Sequence, residues 1–554
     1  MDEKFSIGID FGTEDARAIA VHVATGDLIS TVNFSYPHGV IDTALPDSTK
    51  ELPPDYALQD ADDYLKALEI LIPSLLKRGN LTPDKIIGIG VDFTSCSMLP
   101  LDRNGNPLSR YREFRTNPHA WVKLWKHHGA QWEAEQLVKT AKKSGEKFLK
   151  RYGGKISCEW MFPKIMETLY RAPHVFQSAA HFMECADWIT FKLTGKMVRS
   201  AATCGYKAIW ENGYPPNYFF KKLDPRLDGV VKNKLSGSVL PPGTRAGALT
   251  PQMAEKTGLR EGIPVAVATI DAHAAALGSG LIKPGIMVIV MGTSSCHMCL
   301  HEKRKFVKGM CGAVPGGIVP GYYGYEAGQS AVGDIFAWFI RNCVPMEYTK
   351  EAEKSGVSVY NYLAEKTAML YPGQSGLLAL DWWNGNRSVL MNADLSGLII
   401  GLTLWTKPEE IYRSLIEATA FGTRRIIEAF EESGIQLKRL IVCGGLPEKS
   451  PLTMKIYTNI NKREIEIAST PYASALGAAI LGAVAAGKEY GGFDSPQQAV
   501  EHMVKPPKTK YSPGIEESRM YDILYKEYMK LYNYFGRGTS KVMSILKNIK
   551  LQGL

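Results

Sequence analysis

Two stretches of this 554-residue chain follow the same plan of strand, tight turn and returning strand. "KFSIGIDFGTEDARAIAVHV" turns at Gly12-Thr13, and "GIMVIVMGTSSCHMCL" turns at Gly292-Thr293. The two turns lie about half a chain length apart, and in both stretches an apolar strand leads into the turn. The repeat predicts an internal duplication, with two similar lobes that each open on a hairpin.

Further strands alternate with helices, which predicts an α/β fold. "IIGIGVDFTS" reads as a strand that ends in a polar corner at residues 92–95, and "RLIVCGGLPEKS" as one that ends at Gly444-Gly445. The clearest helix runs from Thr406 to Gly434, with Thr406 as its expected cap and Glu409 three residues on.

A second helix is expected near the end of the chain, around residues 516–535. Four tyrosines recur there at helical spacing: Tyr521, Tyr525, Tyr528 and Tyr532. This stripe predicts a packed face. The helix from Ser474, "SALGAAILGAVAAG", consists of small residues that would let its neighbours approach closely.

Composition narrows the classes of function. A formal charge of +9 from 65 basic and 56 acidic residues suits a small phosphate-bearing ligand and does not favour nucleic acid. No apolar run reaches the roughly 18 residues that span a bilayer. The opening "MDEKFSIGIDFG" is not typical of a signal peptide, and nine cysteines without framework spacing favour a reducing compartment. We therefore expect a cytoplasmic protein.

The "CHMC" at residues 296–299 could in principle bind a metal or carry out redox chemistry. In a strand, however, its two cysteines would face opposite sides. The chain has no second C-x-x-C to complete a four-ligand site. Ordinary strand packing is the favoured interpretation.

The Gly-Thr turns are candidate phosphate sites, because glycine admits close backbone approach and exposed amides bind anionic oxygens. Asp10, at the end of the first strand, could hold a cation, and Arg17 could neutralise phosphate charge. Gly444-Gly445 could admit a base or a ribose. Together these residues favour phosphoryl transfer, which needs positioning, charge neutralisation and a metal.

Asp271 stands alone among alanines and glycines in "ATIDAHAAALGSG". A carboxylate in such surroundings is costly unless it is paired or used. It could be the general base that accepts the acceptor hydroxyl's proton. It could equally cap the helix that follows, since Asp is a favoured N-cap, and the two roles are compatible.

These motifs resemble those of the FGGY carbohydrate kinases over essentially the whole chain. "IGIDFGTEDARAIAV" and "VMGTSSC" resemble that family's two phosphate motifs, "VCGGLPEKSP" its adenosine motif, and "ATIDAHAAALGSG" its catalytic-aspartate segment. "SCEWMFPKIMET" resembles the family signature. The resemblance implies an α/β fold of two duplicated actin/hexokinase-like, ribonuclease H-like lobes with a cleft between them. It implies an N-terminal lobe at 1–282, a C-terminal lobe at 283–495 and a helical tail at 496–554.

Within the family, longer segments such as "NPHAWVKLWKHHGAQ" and "GYYGYEAGQSAVGDIFAWF" resemble the members that phosphorylate L-ribulose with ATP in L-arabinose breakdown. Matching positions imply roles for twelve residues. The sugar side is Ser95, Lys207, Asp271 and Glu326; the phosphate and Mg²⁺ side is Asp10, Gly12, Thr13 and Arg17; the nucleotide side is Gly292, Thr293, Gly444 and Gly445. One departure is that Glu14 and Asp15 follow Thr13, where many members carry small hydroxyl residues, and we expect both acids to point outward.

Two alternatives stay open at this stage. The chain could phosphorylate another pentulose, such as xylulose, or a pentitol. It could also be a non-catalytic ATP-binding protein of the same fold, although Asp271 in its setting speaks against that. The oligomeric state is open, with a homodimer as one option. No nucleic-acid or membrane partner is expected.

Overall fold

The computed structural model describes residues 3–551 and divides into two compact units. The first unit comprises Met1–Ile282, Gly312–Gly324 and Tyr472–Lys505; the second comprises Lys283–Cys311, Tyr325–Pro471 and Pro506–Leu554. The division differs from the predicted boundaries because two later segments pack with the first unit.

The strands are β1 Phe5–Phe11, β2 Asp15–His22, β3 Leu28–Ser35, β4 Leu58–Gln59, β5 Ile86–Phe93, β6 Met98–Leu101, β7 Val122–Lys123, β8 His181–Glu184, β9 Val198–Ser200, β10 Ser238–Leu240, β11 Arg245–Ala248, β12 Pro264–Ala266, β13 Thr269–Ile270, β14 Ile286–Met291, β15 Ser295–His301, β16 Gly312–Pro315, β17 Tyr323–Gln329, β18 Leu378–Leu380, β19 Leu398–Ile400, β20 Arg439–Cys443, β21 Ile465–Ile467 and β22 Thr509–Tyr511. The helices are α1 Ala61–Gly79, α2 Gln131–Ser144, α3 Phe148–Arg151, α4 Met161–Arg171, α5 Pro173–Ser178, α6 Cys185–Thr194, α7 Ala201–Lys207, α8 Asn217–Leu223, α9 Val230–Lys234, α10 Pro251–Thr257, α11 Asp271–Gly278, α12 Gly333–Cys343, α13 Met346–Lys354, α14 Val359–Ala368, α15 Pro408–Glu432, α16 Gly445–Lys449, α17 Pro451–Asn461, α18 Ala473–Ala486, α19 Pro496–Met503, α20 Ile515–Gly536 and α21 Val542–Leu551.

The first unit is built on a sheet in the order β11-β12-β5-β1-β2-β3, with β13 also paired to β5. β1 runs antiparallel to β2 and parallel to β5, and β5 runs parallel to β12. β11 closes one edge antiparallel to β12. The central strands β1 and β5 are buried along their whole length, as strands covered on both faces should be.

The second unit has the same strand order, β17-β15-β14-β20-β21-β22, which corresponds to β3-β2-β1-β5-β12-β11 of the first unit read from its other edge. β14 is antiparallel to β15 and parallel to β20, β20 is parallel to β21, and β21 is antiparallel to β22. The predicted duplication is therefore confirmed, and so are the predicted α/β class and the two hairpins.

Helix α18, predicted from its small residues, packs against the first unit's sheet. A Cβ atom placed on Gly8 of β1 would lie 1.9 Å from the Ala475 carbonyl oxygen, and one on Gly90 of β5 would lie 1.8 Å from that of Ala478. Only glycine permits backbones to meet so closely. The small residues thus serve tight packing, and they attach residues 472–505 to the first unit.

Two helix predictions can be compared with the structure. α15 begins at Pro408 and its N-cap is Lys407, so the predicted cap Thr406 is wrong. The Lys407 N–H donates to the Glu410 carboxylate at 2.7 Å, one residue later than the predicted pairing. The tyrosine stripe of α20 is confirmed as packing, because all four rings are buried.

Candidate active site

A row of charged residues crosses the first unit's sheet at the end of β1. Asp10 is the register partner of Arg17 on β2 and of Asp92 on β5. The Arg17 Nε atom lies 3.6 Å from Asp10 Oδ2, and a second guanidinium nitrogen lies 3.1 Å from Asp15 Oδ1. The predicted cation and phosphate residues therefore lie together, and Asp92 joins them although it was not among the predicted site residues.

Burial acts on the pKa of both carboxyls of this row, and neighbouring charges add to its effect or oppose it. Burial raises the pKa of Asp10, and the Arg17 charge opposes the rise. Burial raises the pKa of Asp92 well above its usual range, and the Asp10 and Asp271 charges add to the rise. Binding of a proton or of a cation next to Asp10 and Asp92 is therefore favourable, because it offsets their negative charge.

Asp271 is the first residue of α11, where the chain leaves β13. Its Oδ1 atom accepts a hydrogen bond from the Ala272 N–H at 2.7 Å, so the carboxylate does contact the start of the helix. The N-cap position itself belongs to Ile270. Asp271 is half-buried, which leaves part of its surface accessible. The predicted N-cap role of Asp271 is therefore wrong, because the helix already begins at this residue, and its role as general base stays a prediction.

Ser95 and Lys207 lie on neighbouring elements of the same unit. Ser95 is half-buried in the turn that follows β5, beside the buried Cys96. Lys207 ends α7 and is only 3% exposed, and its charge lowers the pKa of the Cys96 thiol, against a larger rise from burial. The preceding Tyr206 packs its ring 4.6 Å from that of His273 on α11. The first unit therefore brings three of the four predicted sugar residues into one region.

The Gly12-Thr13 turn is held by side chains from other elements. Trp125 Nε1 donates to Thr13 Oγ1 at 3.0 Å, and Gln59 Nε2 donates to the Thr13 carbonyl at 2.6 Å. The following Glu14 is exposed, as expected from the departure in the motif. Asp15 instead binds Arg17, so the expectation that both acids point outward holds for Glu14 only.

The corresponding turn of the second unit, Gly292-Thr293, is exposed and contacts the start of α12. The Gly333 N–H donates to the Gly292 carbonyl at 3.1 Å, and the Val332 N–H donates to the Thr293 carbonyl at 2.7 Å. These bonds fix the turn's backbone at the positive end of a helix, where anions are stabilised.

Gly444 and Gly445 follow β20 in the second unit. Gly444 has a φ of 104°, and a Cβ atom there would lie 2.3 Å from the Met291 carbonyl oxygen. Gly445, the first residue of α16, has open space around the position of a Cβ. The predicted nucleotide residues are thus neighbours, since Met291 directly precedes Gly292.

Glu326, the fourth predicted sugar residue, lies on β17 of the second unit and is 2% exposed. Its carboxylate accepts a hydrogen bond from the Arg387 guanidinium at 2.6 Å. This ion pair holds the carboxylate in place. Its grouping with Ser95, Lys207 and Asp271 stays a prediction.

A cavity of about 390 Å³ opens beside α12 in the second unit. The rings of Trp338 and Trp383 form part of its wall, with centroids 5.4 Å apart. Asp334 and Arg341 contribute charge to the same wall. The neighbouring Trp382 instead fills the core, fully buried against Tyr532. Trp338 was not among the predicted site residues.

Within residues 3–551, no group of three or more His, Cys, Asp or Glu side chains is placed to hold a metal ion. Magnesium is not excluded by this, since it commonly takes one or two protein carboxylates and keeps its waters. None of the described helices has the length and apolarity needed to cross a membrane.

Comparisons with known proteins agree with the geometry. The N-terminal domain of the FGGY family of carbohydrate kinases matches residues 5–278, and its C-terminal domain matches residues 287–486. Ribulokinases of Anoxybacillus flavithermus and Geobacillus thermodenitrificans are 53% and 52% identical over 99% of this chain and 98% of their own.

Solved structures show the same fold at low identity. A xylulose kinase from Rhodospirillum rubrum superposes with a TM-score of 0.74 at 20% identity, covering 96% of this chain and 98% of its own. A kinase from Brucella ovis described as a xyloylose kinase gives 0.77 at 17% identity, covering 95% and 98%. The fold is thus the two-domain actin/hexokinase-like fold of sugar kinases, and the chain belongs to the FGGY family of carbohydrate kinases.

Proposed function

We propose that this kinase transfers the γ-phosphoryl group of ATP to the terminal hydroxyl of L-ribulose, giving L-ribulose 5-phosphate and ADP in L-arabinose breakdown. The assignment of phosphoryl transfer is supported by the row Arg17–Asp10–Asp92, with Asp271 in the same unit. The choice of sugar is supported by full-length relatives named ribulokinase at about half identity.

Asp271 acts as the general base in this proposal. Its carboxylate accepts the proton of the sugar hydroxyl while that oxygen bonds to the γ-phosphorus. The bond between the γ-phosphorus and the bridging oxygen breaks, and ADP leaves with the electron pair. The Ala272 N–H, which donates to Asp271 Oδ1 at 2.7 Å, orients the carboxylate.

The residues near Asp10 fit a magnesium ion. Asp10 is 9% exposed, and neither carboxylate oxygen of Asp92 has a hydrogen-bond donor among residues 3–551, so the row has acceptor capacity that the described side chains do not fill. When bound, Mg²⁺ neutralises phosphate charge that develops during phosphoryl transfer. Arg17 contributes a fixed positive charge beside it, and Asp15 holds the guanidinium in place.

Sugar recognition in the proposal depends on hydrogen bonding, because a ketopentose is neutral and carries several hydroxyls. Ser95 offers a hydroxyl, Lys207 three donors and Asp271 acceptors. Glu326, held by Arg387, supplies the fourth group. A polar site of this kind rejects analogues that leave its groups unpaired.

The nucleotide is proposed to bind the second unit. The exposed Gly292-Thr293 turn, with the Thr293 hydroxyl, lies at the start of α12 and suits phosphate oxygens, and Gly444-Gly445 admits the ribose. The cavity with Trp338 and Trp383 in its wall has room and aromatic surface for the base. A cytoplasmic location and a homodimeric state stay predictions.

The test is a substrate panel. Purified protein with MgATP is offered L-ribulose, D-ribulose, D-xylulose, L-xylulose, ribitol and arabitol, and ADP release is measured. We expect kcat/KM for L-ribulose to exceed that of every other sugar by about tenfold or more. A preference for D-xylulose would assign the chain to the alternative pentulose kinases, and ADP release from no sugar would contradict the proposal altogether.

A further inference from the structure

Asp92 is a fully buried carboxyl whose side chain interacts with a second carboxyl, that of Asp10. It lies on β5 near its C-terminal end, and its exposed fraction is 0%. Within residues 3–551 neither of its carboxylate oxygens meets a hydrogen-bond donor. Leaving such a group unsatisfied destabilises the fold, and more so when the group is charged. A ligand that is not part of the chain would relieve this cost.

The register determines where Asp92 points. Ser6 of β1 donates its hydroxyl hydrogen to the Ala479 carbonyl at 2.6 Å, and Gly8 approaches Ala475, so the face of β1 that carries Asp10 is the face covered by α18. Gly88 and Gly90 of β5 approach the same helix, so Asp92 shares that face. Asp10 follows Gly8 by two residues, and Asp92 follows Gly90 by two residues. Both carboxyls therefore lie further along their strands, toward the start of α18 at Ala473.

The negative charges near Asp10 and Asp92 exceed the positive charge of the guanidinium in the same row. Asp10 and Asp92 are adjacent, and the Asp271 charge also acts on Asp92. The cation that faces Asp10 in the row is Arg17, which also binds Asp15. Acidic side chains around the row therefore outnumber this guanidinium, and a divalent cation would neutralise the excess.

The duplicated sheet shows that folding does not require these charges. In the second unit, Val290 on β14 takes the place of Asp10, two residues before its glycine turn. Its register partners are Cys296 on β15 and Cys443 on β20, in the places of Arg17 and Asp92. The same strand arrangement thus forms with uncharged residues at all three positions.

We propose that Asp92 is a second protein carboxylate of the magnesium site, which it shares with Asp10. The inference rests on the proposed function for the metal's role, but it concerns binding, which can be measured apart from turnover. Two carboxylates are what Mg²⁺ commonly takes from a protein, with waters and substrate phosphates completing its shell. The competing explanation is a structural pair in which Asp10 and Asp92 share one proton and bind no metal.

The experiment uses Mn²⁺ as the probe on the full chain. Mn²⁺ is titrated into the protein, without nucleotide and again with ADP, and free Mn²⁺ is read from its EPR signal. We expect Asp92→Asn to weaken binding about 10- to 100-fold in both series. The matched control is Glu184→Gln, which removes another buried carboxyl of the same unit that lies outside the row, and it should change affinity less than threefold.

Melting temperature separates the two explanations. A metal-binding Asp92 is a liability in the metal-free protein, so Asp92→Asn should melt at the wild-type temperature or above it and lose stabilisation by Mn²⁺. A proton-sharing pair predicts a lower melting temperature with unchanged Mn²⁺ affinity, and that result would overturn the inference.

A crystallographic experiment on the wild-type protein tests the same metal site without any variant. Wild-type crystals grown with ADP and Mn²⁺ should give an anomalous peak that contacts the Asp92 carboxylate directly or through one water. A peak at the nucleotide phosphates without such contact would also overturn the inference. Failure of L-ribulose phosphorylation with intact Asp92-dependent Mn²⁺ binding would refute the proposed substrate and leave the metal site standing.

Discussion

The two hairpins of this kinase share strand order and register but differ in what their side chains offer. The first places Asp10 and Arg17 opposite each other, whereas the second places Val290 opposite Cys296. Around its turn, the second unit instead offers backbone amides, glycines and a tryptophan-walled cavity. One framework thus carries charged groups suited to metal and proton transfer, and the other carries surfaces suited to a nucleotide. After duplication, each copy can specialise without changing the sheet.

The strongest test of this contrast is to remove the proton acceptor of the first unit. Asp271→Asn should lower the rate of the chemical step about 10²- to 10⁴-fold, because asparagine cannot accept the hydroxyl proton. Asparagine has nearly the same size and its amide oxygen can still accept from the Ala272 N–H, so the melting temperature should hold. Single-turnover kinetics with saturating L-ribulose avoid masking by slow product release. A near wild-type rate would reduce Asp271 to a helix-start residue.

The second test removes a charge from the row. Asp10→Asn should raise the Mg²⁺ concentration for half-maximal activity roughly 10- to 100-fold while the Kd for L-ribulose stays within about twofold. Magnesium titrations of the initial rate, with sugar binding followed by calorimetry, measure the two effects separately. Unchanged magnesium dependence at normal turnover would show that the charged row is not a metal site.

The third test concerns the second unit. Trp383→Ala should weaken ADP binding about tenfold if the base stacks on that ring, since stacking on an aromatic side chain contributes roughly 1–3 kcal/mol. The matched control is Trp405→Ala, a tryptophan of the same unit that is 87% exposed and outside the cavity. Calorimetric titration with ADP compares them. Equal losses in both variants, or none in Trp383→Ala, would leave the cavity without a nucleotide role.

Local patterns predicted the hairpins, and the structure confirmed them because a Gly-Thr turn between apolar strands is specified by neighbouring residues. Asp92 was read only as part of a polar strand corner. Its importance depends on β5 lying beside β1 in register, and that pairing joins residues more than 80 positions apart. The same reason explains α18, whose attachment to the first unit depends on close approach to β1 and β5. The cap of α15 was missed by one residue because glutamates stand at both 409 and 410, and the helix start uses Glu410, whose carboxylate accepts from the Lys407 N–H.

The last test concerns the stability contributed by a buried carboxyl of the first unit that lies outside the row. Burial raises the pKa of Glu184 on β8 to about 8, against an ordinary value near 4.5, and the Lys164 charge only partly opposes the rise. Between these values the folded chain holds one proton more than the unfolded chain. Raising the pH through this window therefore lowers the free energy of unfolding, by up to about 1.4 kcal/mol per pH unit.

Glu184→Gln removes this titration, because glutamine stays neutral at every pH. The variant should nearly match the wild type near pH 5 and be more stable than it near pH 8, by about 3 kcal/mol. Urea unfolding at the two pH values measures the difference. Mg²⁺ should stabilise the Glu184→Gln variant as much as it stabilises the wild type, whereas Asp92→Asn should lose this stabilisation. If Glu184→Gln also lost stabilisation by Mg²⁺, the effect would belong to buried acids in general and not to the row of Asp10, Arg17 and Asp92. That result would contradict the assignment of the metal site to the first hairpin.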